Sequence, residues 1–324
     1  MSGVLAFQLY NWHFFFAELV DGVAVGSVYG LIALGYTMVY GVLKLLNFAH
    51  GDVYMVGAYI GWFVLNALGS PLKPVLPIVP LLLLAFAASM VGCGALGIVI
   101  ERFAYRPLRK APRIAPLITA IGVSFFLEQT GVLLWGANPR SYETFSLRPD
   151  KSGTGELFHN AITIGNLSIQ NVQLVVILST IALMVGLTQF VARTRTGKAM
   201  RAVSVDQEAA SMMGIDVDRV IAVTFLLGSA LAGAAGVMTG IVYQQLNPYM
   251  GFGAGLKAFI AAVVGGIGNI GGAMLGGLLI GLAETFTVGY LSSTFSDLIL
   301  FSVLVVFMLF RSTGIRGAPV LQKV

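Results

Sequence analysis

Apolar stretches of about membrane-spanning length recur along the chain at about 19–41, 76–100, 114–135, 172–192 and 220–242. In runs such as 81–100 and 298–310 the apolar residues surround the helix axis, instead of recurring three or four apart as on a one-sided helix. A bilayer core about 30 Å thick needs about 20 such residues per helix, so the five stretches are expected to cross a membrane. Four others are less regular: 51–69, interrupted by Gly57 and Gly61; 257–268 and 271–290, split by Gly268-Asn269-Ile270-Gly271-Gly272; and the short 297–310. The pattern predicts an all-α fold, a polytopic membrane helical bundle of about 8–9 transmembrane segments that includes short or broken glycine-rich helices. The longest polar stretch, 137–171, is too short to build a second core, so residues 1–324 are expected to form a single transmembrane domain.

Composition strengthens this picture. Hydrophobic residues make up 57% of the chain, charged residues only 10%, and mean hydropathy is +0.88, whereas a soluble domain carries about 25% charge. The net charge of +5 does not point to nucleic acid, because that needs a basic face on a soluble domain and here the basic residues sit in short loops. If all nine segments cross, Lys44, the arginines and lysines of 102–113 and 193–219, and those after 310 share one side. The other side keeps Lys73, Arg140, Arg148, Lys151 and Lys257. The positive-inside rule makes the richer side cytoplasmic, with the N-terminus outside and the C-terminus inside a bacterial cytoplasmic membrane. A re-entrant hairpin at 257–290 would leave that count unchanged. Residues 1–10 hold no Lys or Arg, so no cleavable signal peptide is expected and the first span serves as the targeting signal. The lone Cys93 excludes disulfides and cysteine-based metal sites.

The loop over 193–219, RTRTGKAMRAVSVDQEAASMMGIDVDR, is too polar to span and too regular to be a loose linker. Asp206 is suited to cap a helix start, Glu208, Ala209 and Ala210 favour helix, and Gly214 supplies a stop. Lys198 and Arg201 flank an edge that includes Met212 and Met213, and methionine adapts to a partner surface that moves. A solvated connecting helix is the plainer alternative. Glu208-Ala209-Ala210, followed after three residues by Gly214, is similar to the EAA loop of ABC-importer permeases, the coupling helix that docks on the ATP-binding subunit, although the Ile-x-Leu-Pro continuation is missing.

Other polar groups lie close to membrane depth. Asn47, His50 and Asp52 cluster between two apolar runs, where ionisable groups usually face a cavity or one another; a tight interfacial turn with Asp52 as cap and His50 in water is the alternative. Glu128 and Glu284 stand inside apolar segments, Glu284 as the stronger pathway candidate and Glu128 with a structural role. The glycine series from Gly251 to Gly281 reads chiefly as close helix packing, with the break at Gly268–Gly272 also able to expose backbone groups to a cavity. Asn47, His50, Asp52, Asn269 and Glu284 are thus the candidate translocation pathway. The three histidines fall in separate regions, so no metal site is expected. GxSxG, HExxH and Walker A patterns are absent, and a non-catalytic chain is expected.

Taken together, GSVYGLIALGYTMVYGVLKLLNFAHGDVYMVGAYIG (26–61), ERFAYRPLR (101–109), GKAMRAVSVDQEAASMMGID (197–216) and KAFIAAVVGGIGNIGGAMLGGLLIGLAE (257–284) resemble the LivH-type permeases of branched-chain amino acid ABC transporters. The resemblance implies a permease domain working by alternating access beside a second related permease of LivM type, two cytoplasmic ATPase subunits and a periplasmic or extracellular solute-binding protein. It also implies that ATP and magnesium bind to the partner ATPases, with no cofactor on this chain. Related permeases carry urea or short amides. A passive small-solute channel and an ion-coupled secondary transporter using Glu284 are the readings of a different class.

Overall fold

The computed structural model describes residues 12–72, 78–109, 111–112, 114–142, 160–164, 167–311 and 313–317. The expectations for Lys73, Arg148, Lys151, residues 1–10 and most of the 137–171 loop lie outside the described residues. Among the described residues eleven α-helices follow in order: α1 (Trp12–Leu43), α2 (His50–Leu72), α3 (Ile78–Ile100), α4 (Ile114–Trp135), α5 (Asn171–Arg193), α6 (Arg195–Val205), α7 (Gln207–Met212), α8 (Val217–Tyr243), α9 (Met250–Gly265), α10 (Ile270–Tyr290) and α11 (Ser296–Phe310). α3 continues into a π-helical turn, Glu101–Tyr105, and a 3-10 turn, Arg106–Leu108. Strand structure is limited to two antiparallel pairs among the described residues, β1 (Arg140–Ser141) with β4 (Gln245–Leu246) and β2 (Asn160–Ile164) with β3 (Leu167–Gln170).

Seven helical stretches among the described residues are long and apolar enough to cross a membrane, and the expected polytopic bundle is the fold observed. The most apolar windows of α1 and α8 are 89% and 78% buried, whereas those of α4, α5 and α11 are only 22%, 17% and 11% buried. α1 and α8 are thus the centre. The outer helices turn Phe125, Phe126, Leu133, Leu178, Leu298 and Phe310 outward, a surface suited to hydrocarbon rather than water.

Close approach of backbones holds the centre together. Gly277 and Gly281 of α10 lie against the backbone of Gly26 and Gly30 of α1, and a Cβ on Gly26 would come within 2.8 Å of the Leu278 Cα. Gly57 of α2, Gly233 of α8 and Ser89 of α3 meet at one crossing, where the Ser89 hydroxyl lies 2.9 Å from both the Gly57 and Gly233 carbonyls. Without a solvent-driven hydrophobic effect between helices in lipid, such small-residue contacts and interhelical hydrogen bonds supply the packing.

Two helices start inside the bundle. α1 ends at Lys44, which takes a left-handed conformation (φ 55°), and the chain turns back so that His50 packs against Gly35. At 1.5 Å per residue, the eight helical steps from Gly35 to Leu43 set the start of α2 about 12 Å from the end of α1. α8 ends likewise at left-handed Gln244 (φ 51°), and α9 then begins with Gly251 and Gly255 against Gly51. The six residues Leu46-Asn47-Phe48-Ala49-His50-Gly51 recur in outline as Leu246-Asn247-Pro248-Tyr249-Met250-Gly251. Because α1 and α8 end at opposite ends of the bundle, the two connections form an inverted pair that meets at Gly51 and Gly251. Inverted repeats of this kind, with discontinuous helices at their interface, are a common transporter plan.

Three expectations change. The pair expected at 257–268 and 271–290 begins at Met250 rather than near 257, because Gln245 to Tyr249 form the strand and turn that admit α9. Within the 193–219 loop, the helix expected to start at Asp206 is α7, and a separate helix, α6, precedes it and ends at the extended Asp206 backbone. The Gly268–Gly272 break puts Gly268 and Ile270 on a small cavity at the bundle end rather than on one deeper between the helices. It is a turn at the bundle end, sealed by the C-terminal segment: Ile315 N–H donates to the Val264 carbonyl at 2.9 Å and Arg316 N–H to the Gly265 carbonyl at 3.0 Å.

Candidate functional site: a docking edge and an outward cavity

One end of the bundle gathers the basic residues. Lys44 and Arg201 line a cavity of about 130 Å³ there together with Thr37, Met200 and Gly268. Arg106 and Arg109 both pair with Asp218 at the start of α8, and Arg109 also pairs with Glu101 in the π-turn. Arg140 lies toward the opposite end, 5.4 Å from the Trp62 ring.

The helix pair α6–α7 sits at the basic end. Thr194 caps α6 by accepting from the Gly197 N–H at 2.9 Å, and the Arg201 guanidinium donates to the Val191 carbonyl, folding α6 back on α5. Asp206 accepts from the Glu208 and Ala209 N–H groups at 3.0 and 3.1 Å, so it caps α7, and Gly214 (φ 82°) stops it. Inward, Ala210 is buried and Gln207 donates to the Val42 carbonyl of α1 at 2.9 Å. Outward, Lys198, Glu208 and Ala209 are exposed, and Val205, Met212 and Met213 are 87%, 87% and 83% exposed. Three bare apolar side chains on a polar connector form an edge that none of the described residues covers.

Asn47, His50 and Asp52 are brought together at the first turn of α2, and all three are buried, which excludes the water-facing turn. The Tyr105 hydroxyl lies 3.0 Å from Asn47 Oδ1, and His50 packs edge-on to Tyr36 with centroids 4.8 Å apart. Asp52 accepts from the Ser124 hydroxyl of α4, and its other oxygen abuts Gly251 of α9 without a hydrogen bond. None of the three lines either cavity described here. Asn269 is exposed at the basic end, where it caps α10 through the Gly272 N–H and donates to the Arg316 carbonyl.

Glu284 does line a cavity. It stands with Lys257, Tyr29, Tyr54, Tyr243, Asn247 and others around a partly open cavity of about 510 Å³ lined by α1, α2, α8, α9, α10 and the start of α11, toward the end opposite the basic residues. Lys257 Nζ is 2.5 Å from Glu284 Oε1 and 3.3 Å from Asp297 Oδ1. Sequence reasoning left Lys257 among the outer-side charges and missed the tyrosines and Asn247; the recurrence of Leu-Asn-x-x-x-Gly was the available signal for Asn247. Glu128, half-exposed on α4, lies outside both cavities.

The described residues contain no group of His, Cys, Asp and Glu able to hold a metal ion. The family model described as "Branched-chain amino acid transport system / permease component" matches residues 18–309. The high-affinity branched-chain amino acid transport system permease protein BraD of Pseudomonas aeruginosa is 44% identical over 95% of this chain and 97% of its own length. The corresponding permease protein LivH of Salmonella typhimurium is 42% identical over 96% and 98%. A solved structure, PsaBC from Streptococcus pneumoniae in complex with Fab, aligns with a TM-score of 0.42 at 14% identity over 95% of each chain, too loosely to bear on function. The match runs through the central helices, the α6–α7 connector and the α9–α10 pair alike, and the chain belongs to the family of permease components of branched-chain amino acid transport systems.

Proposed function

We propose that this chain forms one half of the membrane pathway of an ATP-driven importer for branched-chain amino acids. It pairs with a second, LivM-type permease, receives solute from a binding protein at the end holding the 510 Å³ cavity, and takes its stroke from two ATPase subunits at the basic end. ATP and magnesium bind to those ATPases, and the basic end faces the cytoplasm by the positive-inside rule. The observation that carries the reading is the capped α6–α7 pair, with Val205, Met212 and Met213 bare in a chain that has no Walker A sequence of its own. A channel or an ion-coupled carrier has no use for such an edge.

In this mechanism the ATPases draw together and displace α7; α5 and α8, directly attached to the connector, carry the displacement into the bundle. Asp218 passes it to α3 through Arg106 and Arg109, and Tyr105 then reaches Asn47 at the start of α2. A π-helical turn at this junction suits a hinge, since such turns concentrate at functional sites. The pathway opens alternately to the two ends as the inverted halves move about Gly51 and Gly251.

The test is co-purification from detergent-solubilised membranes, comparing the native chain with a Glu208→Arg/Gly214→Trp double variant. The native chain is expected to bring down ATPase subunits and to support ATP-dependent leucine uptake, and the variant to lose both while keeping its size-exclusion profile. Solute flux without ATP by a native chain free of ATPase would replace this reading with the channel or carrier.

A further inference from the structure

The 510 Å³ cavity carries opposite charges side by side, which is unusual for a wall that only needs to pass small solutes. We infer that it is a binding site for the zwitterion of an apolar α-amino acid: Lys257 takes the α-carboxylate, Glu284 takes the α-ammonium, and an apolar wall takes the side chain. This rests on the transport reading above and names the substrate-selective element within it.

The atoms are placed for this exchange. The Lys257 ammonium has three donors; one is directed to Glu284 Oε1 at 2.5 Å and a second to Asp297 at 3.3 Å, which leaves one for an incoming carboxylate. Glu284 Oε2 is buried and makes no hydrogen bond of good geometry, with the Tyr29 hydroxyl beside the carboxylate. A buried carboxylate oxygen served only by a poorly aligned Tyr29 hydroxyl is costly to leave so, and a substrate ammonium would complete its hydrogen bonding. The Lys257 and Glu284 side chains are 23% and 15% exposed, so solute can reach them while the surroundings remain drier than bulk water. Val25, Val28, Val242, Met250 and Ala254 supply the apolar wall. The volume falls within the range of about 300–1,000 Å³ common for small-molecule sites.

The pairing also explains discrimination. A molecule lacking either charge leaves one of the two groups without its new partner, and sites built around a specific polar contact reject analogues that lack it far more strongly than apolar pockets reject a missing methylene. An amide or a simple fatty acid satisfies half of the site. Urea satisfies neither charge.

The assembled transporter, this chain with its permease partner and ATPases, is to be placed in lipid nanodiscs without nucleotide or binding protein, and tritiated leucine binding measured by scintillation proximity. The same preparation is scored in proteoliposomes, with binding protein added, for ATP-driven leucine uptake. Binding displaced by valine and isoleucine, but not by leucinamide or 4-methylpentanoate, is expected. Lys257→Met and Glu284→Gln should each weaken it at least about tenfold, the worth of one charge-assisted contact, while Lys257→Arg retains it. A structural lock between α9 and α10 would instead lower thermal stability in the two neutral variants and leave the leucine affinity of the folded fraction at the native value. The site is overturned by that result, by displacement with leucinamide as strong as with leucine, or by a native complex that imports leucine yet shows no displaceable binding. Absent uptake in the native preparation counts against the transport reading instead.

Discussion

Arg109 holds two carboxylates whose environments differ, and the difference sets what each contributes. The Glu101 side chain is only 4% exposed, so removing it leaves a largely enclosed guanidinium without its buried partner; Glu101→Ala is expected to destabilise by about 3 kcal/mol, at the lower end for broken buried pairs because Arg109 keeps Asp218. Asp218 is 47% exposed, and exposed pairs contribute about 0–1 kcal/mol, so Asp218→Asn should shift thermal unfolding in detergent very little. Its effect belongs to transport: ATP hydrolysed per leucine imported should rise as the link from connector to α3 loosens. An unchanged ratio would remove Asp218 from the transmission route. At this scale the sequence made Glu284 visible, as a carboxylate in an apolar run, and hid its partner. Lys257 sits near the start of the apolar run 257–268 and reads as an interfacial charge until α9 is seen to begin earlier and enclose it. Asn269 is the converse case: its side chain caps α10 and bonds the Arg316 carbonyl, while its neighbours Gly268 and Ile270 line the small cavity at the basic end.

Helices here are held by what is missing from them. Gly281 on α10 lies against the backbone of Gly26 on α1, so Gly281→Leu must push two central helices apart; overpacking of this kind costs about 1–3 kcal/mol or more. Gly122 on α4 has no atom within 4 Å of the position of a Cβ and faces outward, so Gly122→Leu should be neutral or gain up to about 1 kcal/mol from helix propensity. Thermal unfolding of the two purified variants separates the cases, and equal effects would mean that glycine content rather than contact governs packing. The α6–α7 connector follows the opposite rule, being held by what its capping residues supply. Asp206→Ala removes the acceptor for two α7 N–H groups and should cost about 0.5–2 kcal/mol locally, read as faster proteolysis of the 193–219 segment with global unfolding unchanged. The capping pattern was legible because it is local. That the two helices are separate, with Ala210 inward and Met212 and Met213 outward, was not, because α1 and α8 decide which side is covered.

Across the whole molecule, the gathering of basic residues at one end of the bundle supports the proposed orientation, with that end cytoplasmic. On a Cys93→Ala background, Leu291→Cys is expected to react with a membrane-impermeant maleimide in intact spheroplasts, and Lys198→Cys only after permeabilisation. Both positions are exposed at opposite ends of the bundle, and the native Cys93 thiol is buried, 3.3 Å from the Val53 carbonyl. The reverse labelling would invert the proposed orientation and place the connector where no ATPase works.

The succession of apolar runs, the clustering of basic residues in a few loops and the caps of the α6–α7 connector were decided by the sequence alone. Each depends on residues near one another along the chain, where lipid transfer and backbone hydrogen bonding act directly. The inward start of α2 at His50, the meeting of Gly51 with Gly251 and the joining of Lys257 to Glu284 were decided only by the tertiary structure. The partners in the last two are 200 and 27 residues apart, and no local pattern states which glycine will face which backbone or which lysine will reach which carboxylate. Burial then separates the cases: the same charged pair on an open surface would be solvated and exchangeable, whereas beside a largely buried apolar wall its interactions are stronger.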